Sequence, residues 1–168
     1  MMSNDSYEEI LVSRHSSSDN IKKYAVIAVT VAVIAAGILF FQPLFLLIGC
    51  VLGFLDYYFI LPMFDVEFEY LYVNGDIDID KILAKRKRKR VASFTKDNLE
   101  IMAPTGSDHL AEASKDAKVE DYTSQDPDVK TWTLVYGGEK GSRKVLLELT
   151  DEIAQDMRRY APRNVYFS

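Results

Sequence analysis

An apolar stretch from Tyr24 to Leu61 limits what this chain of 168 residues can fold into more than any other feature. A bilayer core is about 30 Å thick, and about 20 helical residues cross it. One helix over the whole stretch would be roughly 57 Å long, so two spans fit better. Gln42 and Pro43 supply the break, because proline lacks an amide hydrogen and disfavours helix in the residue before it. The sequence therefore predicts a transmembrane hairpin over 22–62, with helices at about 22–41 and 43–62.

Two other interpretations of this stretch are weaker. A soluble buried hairpin would need more chain around it than the remaining residues supply. A cleaved signal peptide is disfavoured because about twenty polar residues come first, and no small-x-small cleavage site follows a short apolar core. We expect the hairpin to be retained as a membrane anchor.

Basic residues predict the orientation of the hairpin. Arg14, Lys22 and Lys23 precede the first span, a run of six cations at 85–90 follows the second, and the turn between the spans has no basic residue. Basic flanks stay in the cytoplasm. This pattern predicts a multi-pass protein of the cell membrane with both termini cytoplasmic.

Polar and small residues within the second span are candidate contact points. Asp56 is its one carboxylate, and a charge in hydrocarbon marks a functional candidate. We predict an intramembrane or interfacial polar site at Asp56. Use in helix packing is favoured over a proton relay, since no second intramembrane charge accompanies it. Gly49 and Gly53 form a small-xxx-small pair that we expect to pack the hairpin, and a homo-oligomer is left open.

The polar N-terminal segment, 1–21, carries Tyr7, Ile10, Leu11 and Arg14 at helical spacing. This spacing predicts a short amphipathic helix on the membrane surface. A disordered tail is the equal alternative, because isolated helices of this length are marginal in water.

Residues 65–168 predict a cytoplasmic, β-rich domain. The segment 66–73 alternates between polar and apolar residues, Asn74-Gly75 is a strong hairpin signal, and 76–80 alternates between aspartate and isoleucine. Further strands are expected at about 86–95, 130–136 and 143–149. A capping signature at Thr150 begins a helix at about 151–161.

This order of elements resembles a bacterial pleckstrin-homology-like (PH-like) domain. Four stretches also resemble an uncharacterised family of small bacterial two-span membrane proteins: EFEYLYVNGDIDIDKI at 67–82, KRKR at 87–90, NLEIMAP at 98–104 and APRNVYF at 161–167. The resemblance implies two spans and a cytoplasmic domain, and it brings no known activity. The predicted fold class is an α+β membrane protein: a two-helix transmembrane hairpin, then a small antiparallel PH-like β domain with a C-terminal helix.

The basic run at 85–90 is the sharpest functional candidate. On a strand only alternate residues face one way, so Arg86, Arg88 and Arg90 are the predicted contacts with anionic lipid, at roughly 1 kcal/mol per basic residue. The competing interpretation is that the run balances three carboxylates across a hairpin, those of Asp76, Asp78 and Asp80. Nucleic acid is not expected as a partner, because no aromatic stacking platform accompanies the cations.

No catalytic, cofactor-binding or metal-ligating pattern stands out in the sequence. We therefore expect no enzyme and no cofactor. The sequence favours a non-enzymatic interaction module that presents its β domain at the inner membrane face, with membrane lipids as partners. The alternative is an accessory subunit of a larger transport or envelope complex, with another membrane protein as partner.

Overall fold

The computed structural model describes residues 7–14, 17–40, 42–113, 117–138 and 141–168. Two long helices lie between the first and second strands of a β domain, and a short helix closes its C-terminal end. The predicted fold class, with its antiparallel sheets and C-terminal helix, is confirmed.

The helical hairpin consists of α1 (Ser17–Leu39) and α2 (Pro43–Leu55). A π-helical segment, Asp56–Ile60, and a 3-10 turn, Leu61–Phe64, continue α2 without a break. The second helical run thus passes the end predicted at residue 62. Pro62 stands in the first turn of the 3-10 segment.

Both helices are long and apolar enough to cross a membrane, over Asp19–Leu39 and Pro43–Phe64. Within the most apolar 18-residue segment of each helix, only 6 % and 11 % is buried inside the protein. A core helix of a soluble protein would be mostly buried. The exposed apolar side chains instead suit a hydrocarbon environment, as predicted for the hairpin.

Close packing between the helices depends on small residues. A Cβ atom added to Gly37 would lie 2.9 Å from the backbone nitrogen and the Cγ of Leu46. A Cβ on Gly49 would collide with Ile34. The predicted role of Gly49 in packing the hairpin matches this geometry, whereas Gly53 has more room.

The first sheet is an antiparallel meander of four strands in the order β1-β2-β3-β4. Their bounds are Tyr7–Ser13, Val66–Val73, Asp76–Leu83 and Lys87–Phe94. Asn74 and Gly75, both at positive φ, form the predicted turn between β2 and β3.

The prediction of a short amphipathic helix in the N-terminal segment 1–21 is wrong for residues 7–13. These residues form the edge strand β1. All seven residues pair with β2, from Tyr7 opposite Val73 to Ser13 opposite Glu67. Val12 is buried in the core, and Ile10 packs against it. Pairing and burial together outweigh the weak tendency of such a short segment to form a helix.

The second sheet has the order β5-β7-β8-β6. Its strands are Leu99–Pro104, Trp132–Tyr136, Arg143–Leu147 and Lys118–Asp121, the last of these pairing parallel to β8. A short helix, α3 (Leu110–Ala113), precedes β6. The C-terminal helix α4 spans Asp151–Tyr160, and the Thr150 hydroxyl caps it by accepting from the Ile153 amide at 3.2 Å.

One hydrophobic core joins both sheets and α4. Tyr70 and Ile79 of the first sheet, Trp132 and Leu147 of the second, and Met157 of α4 belong to it and are fully buried. With one face of each sheet covered in this way, the opposite face of the first sheet is left to polar side chains.

Candidate functional site at the junction of the helices and the β domain

The basic run divides between a turn and a strand. Lys85 and Arg86 lie in the β3–β4 turn, where Ala84 and Lys85 have positive φ values of 51° and 55°. The amide of Ala84 donates to the Asp65 carbonyl at 2.8 Å, which ties this turn to the end of the second helical run. The turn is therefore held at the helix–domain junction.

A β-bulge decides which cations of β4 face the carboxylates of β3. Ile79 lies opposite Ala92, but Asp80 lies opposite Arg90, so Val91 is the extra residue. In regular pairing Asp80 would face Val91. The bulge instead places Arg88 and Arg90 on the polar outer face of the sheet.

On that face, Arg90 binds two carboxylates, with Nε 2.9 Å from Asp80 Oδ1 and Nη1 2.6 Å from Asp78 Oδ2. The hydrogen bond to Asp80 raises the pKa of Arg90. Arg88 pairs with Glu69, and its Nε lies 3.6 Å from Asp80 Oδ2. Because Glu69 and Asp80 are only 5 % and 6 % exposed, these two cations neutralise buried charge.

The predicted neutralisation of the aspartates is thus present for Asp78 and Asp80. Asp76 lies farther along β3, where it accepts from the Lys96 amide at 3.0 Å and lies 3.8 Å from Lys96 Nζ. Lipid contact stays a prediction for Arg86, Arg88 and Arg90, but the three side chains have different surroundings in the structure. Arg86 lies in the turn, away from the carboxylates that hold the other two.

A groove of about 880 Å³ lies between the helical hairpin and the first sheet. Its helical side includes Lys23 of α1 and the aromatic run Tyr57–Phe59. Its β side includes Asp65, the turn residues Lys85 and Arg86, and Lys87 at the start of β4. The groove therefore has an aromatic wall along the second helix and a cationic rim at the domain. We call it the junction groove.

The charge of the junction groove is positive. Its described lining has five cations and two carboxylates, Asp65 and Glu67. Arg14 already pairs with Asp121 at 3.8 Å, and Lys85 Nζ lies 4.0 Å from Glu67 Oε1. Among the described residues, no carboxylate lies within ion-pair distance of three rim cations: Lys23, Arg86 and Lys87.

Sequence reasoning used Lys23 only as an orientation signal and missed its place in this groove. The available signal was that Lys23 and the run 85–90 are predicted to flank the same side of the membrane. Cations that share one membrane boundary occupy the same layer, even when about sixty residues separate them in the chain.

Asp56 lies between the two helices and is 7 % exposed. The Thr30 hydroxyl of α1 donates to its carboxylate. Asp56 is eight residues before Phe64, about 12 Å along a helix, so it lies deeper than the end of the span. This placement suits the predicted use in helix packing, and the intramembrane or interfacial polar site at Asp56 stays a prediction.

The described residues contain no group of three or more histidine, cysteine, aspartate or glutamate side chains that could hold a metal ion.

A second ion-pair cluster lies at the β6 edge of the second sheet, where Arg143 Nε donates to Glu120 Oε1 at 3.2 Å. Burial raises the pKa of Glu120, but hydrogen bonds from Arg143 and Tyr122 outweigh it and hold that pKa below its usual value.

A family model described as a bacterial PH-like domain (DUF6106) matches residues 4–167. This match covers nearly the whole chain and confirms the resemblance predicted from the sequence. No curated protein and no solved structure matches the chain.

Proposed function

Since the chain belongs to the bacterial PH-like domain family (DUF6106), we propose that it is a non-enzymatic interaction module, presented at the inner face of the cell membrane by its helical hairpin. The non-enzymatic part of this proposal rests on the family, since PH-like domains are in general not catalytic. The anchoring part rests on the way the hairpin joins the domain.

The observation that carries the proposal is how tightly the hairpin is inserted into the first sheet. Only Asp65 separates the second helical run from β2. The Arg14 amide donates to the Val66 carbonyl at 2.9 Å. This bond holds the segment that enters the hairpin beside the segment that leaves it. A domain connected in this way cannot diffuse away from the surface that the hairpin enters.

The distribution of basic residues favours the inner face. Arg14 precedes α1, Lys22 and Lys23 lie near its start, and Lys85–Lys87 line the groove beside the end of the second helical run. The described residues at the other end of the hairpin carry no Lys or Arg. By the positive-inside rule, the end that bears the β domain belongs in the cytoplasm.

Cysteine accessibility in the full-length chain tests this proposal. Cys50, the one native cysteine, is replaced by alanine, and a single cysteine is introduced as Asp128→Cys in an exposed loop of the domain. We expect a membrane-impermeant maleimide to label this variant only after the cells are opened. The matched variant Gln42→Cys, between the spans, should be labelled in intact cells.

Labelling of Asp128→Cys in intact cells would contradict the proposal, since the domain would then lie outside. Purification in mild detergent distinguishes the interaction module from the alternative, an accessory subunit. An accessory subunit should co-purify with a second membrane protein in stoichiometric amount, whereas the module should be isolated without one.

A further inference from the structure

The junction groove lies where the lipid headgroups must be if the hairpin spans the membrane. Its lining includes Asn20 and Lys23 at the start of the first span and Leu61–Phe64 at the end of the second. It also extends back to Tyr57, seven residues before Phe64, or about 10 Å along a helix. The groove therefore runs from the membrane surface down into the interfacial layer.

The lining changes character along this depth. The deeper wall is aromatic, with Tyr57, Tyr58 and Phe59 all more than half exposed. The rim at the domain is cationic, with Lys85, Arg86 and Lys87 in and beside one tight turn. A molecule that fits this lining has a negative charge at one end and apolar groups at the other, as a glycerophospholipid has.

The turn that carries the rim cations is held in place before any ligand binds. Its backbone donates from Ala84 to Asp65 at 2.8 Å and from Arg86 to Leu83 at 3.1 Å. Lys23 projects from α1 on the other side of the groove. Two separate elements thus contribute cations to the lining of one groove.

The cations of the basic run at 85–90 differ in whether a carboxylate of the protein balances their charge. Arg88 and Arg90 neutralise carboxylates of the sheet, so their charge is already balanced within the protein. Arg86 and Lys87 have no such carboxylate among the described residues. Lys89 has no such partner among these residues either, but it lies outside the groove, whereas Arg86 and Lys87 line it.

We propose that the junction groove binds the headgroup of one anionic glycerophospholipid, with its phosphate between Lys23 and the turn cations and its glycerol backbone along the aromatic wall. The exposed carboxylate of Asp65 lies in the same lining and disfavours ligands of high negative charge density. A singly charged phosphodiester fits better than a free phosphate. The cellular role of the site rests on the proposed inner-face placement, where anionic lipids are available.

Native mass spectrometry of the full-length chain in mild detergent tests the site. Phosphatidylglycerol, phosphatidylcholine and soluble glycerol phosphate are titrated in parallel. We expect one molecule of phosphatidylglycerol to bind at least tenfold more tightly than phosphatidylcholine, and glycerol phosphate to compete poorly. The triple variant Lys85→Gln, Arg86→Gln, Lys87→Gln should weaken phosphatidylglycerol binding by about tenfold to a hundredfold.

The matched control replaces three cations outside the groove, as Lys89→Gln, Lys130→Gln, Arg163→Gln. It removes the same net charge and should change binding by less than about twofold. Lys23→Gln is the second test variant. It alters α1 and leaves the β turn intact, so loss of binding there cannot come from an unfolded turn.

Equal binding of both lipids, or equal losses in the triple variant and its control, would overturn the site. Preferential binding of glycerol phosphate would show a site for a soluble anion instead. These measurements in detergent do not depend on orientation. Failure of the lipid site would leave the cysteine-labelling result intact, and failure of the inner-face placement would leave the lipid affinity intact.

Discussion

Nε of Arg90 lies 2.9 Å from Oδ1 of Asp80, across the β-bulge between β4 and β3. This pair and the pair of Arg88 with Glu69 use two of the six cations of the basic run to neutralise carboxylates of the sheet. The cations of the turn, Lys85 and Arg86, are the part that faces the helix–domain junction. A run that looks uniform in sequence therefore has two roles in the fold.

Replacing Arg88 by leucine should destabilise the β domain by about 1–3 kcal/mol, because it leaves the buried Glu69 carboxylate without its cation. Lys89→Leu on the next residue is the control, since Lys89 lies on the other face opposite Lys81. It should change the free energy of unfolding by less than about 0.5 kcal/mol. Chemical unfolding in detergent measures both, and equal losses would contradict the assignment of Arg88.

The two faces of β1 give an independent prediction about the N-terminal segment. Val12 is 5 % exposed and lies in the core, whereas Leu11 is 57 % exposed. Val12→Ala should therefore cost about 1–3 kcal/mol of unfolding free energy, and Leu11→Ala about 0.5 kcal/mol or less. Thermal unfolding of the two variants compares them. The reverse order would rule out this strand register.

Sequence signals were sufficient where structure depends on neighbours in the chain. The apolar stretch with its Gln42-Pro43 break, the Asn74-Gly75 turn and the cap at Thr150 all specify local geometry. The strand β1 was missed because its partner β2 follows more than fifty residues later, and only that pairing outweighs the helical spacing. The short parallel strand β6 likewise depends on a distant partner.

The candidate site was only partly predictable for the same reason. Alternation along a strand suggested that Arg86, Arg88 and Arg90 act together. The tight turn at Lys85 instead separates Arg86 from the other two, and the bulge at Val91 decides which face of the sheet Arg88 and Arg90 occupy. A one-residue change of register leaves no recognisable sign in a run of six cations. The contribution of Lys23 depends on the position of α1 beside this turn.

The packing of the helical hairpin can be tested with two glycines of α2. Gly49→Ala should destabilise the hairpin by about 1–3 kcal/mol, because the new Cβ would collide with Ile34. Gly53→Ala is the matched control. Its Cβ would lie 3.8 Å from Thr30 Cγ2, an ordinary contact. Heat unfolding in detergent should separate the two, and identical midpoints would mean that the helices do not pack in this way.

The cluster at Glu120 predicts a dependence of stability on pH. Burial raises the pKa values of Glu120 and Asp121, but hydrogen bonds from Arg143 to the first and from Thr123 to the second dominate and lower both. Their stabilising effect is complete above the unfolded pKa values of about 4.3 and 3.9. It is lost as the pH falls through the lower folded values.

Unfolding free energies between pH 7 and pH 3 measure this effect. Glu120→Gln should be less stable than the unmodified chain at pH 7 and should lose less stability on acidification. Lys118→Gln, a change at an exposed cation beside it, keeps the Arg143 bond and should retain most of the pH dependence. A Glu120→Gln profile parallel to that of the unmodified chain would refute the role of this carboxylate.

The central claim is that the helical hairpin lies in a bilayer and holds the β domain at its surface. Sedimentation of cell membranes after an alkaline carbonate wash tests it most directly. We expect the full-length chain to stay in the membrane pellet after the wash and to enter the supernatant only with detergent. Recovery of the folded chain in the supernatant of a high-speed spin without detergent would contradict the claim.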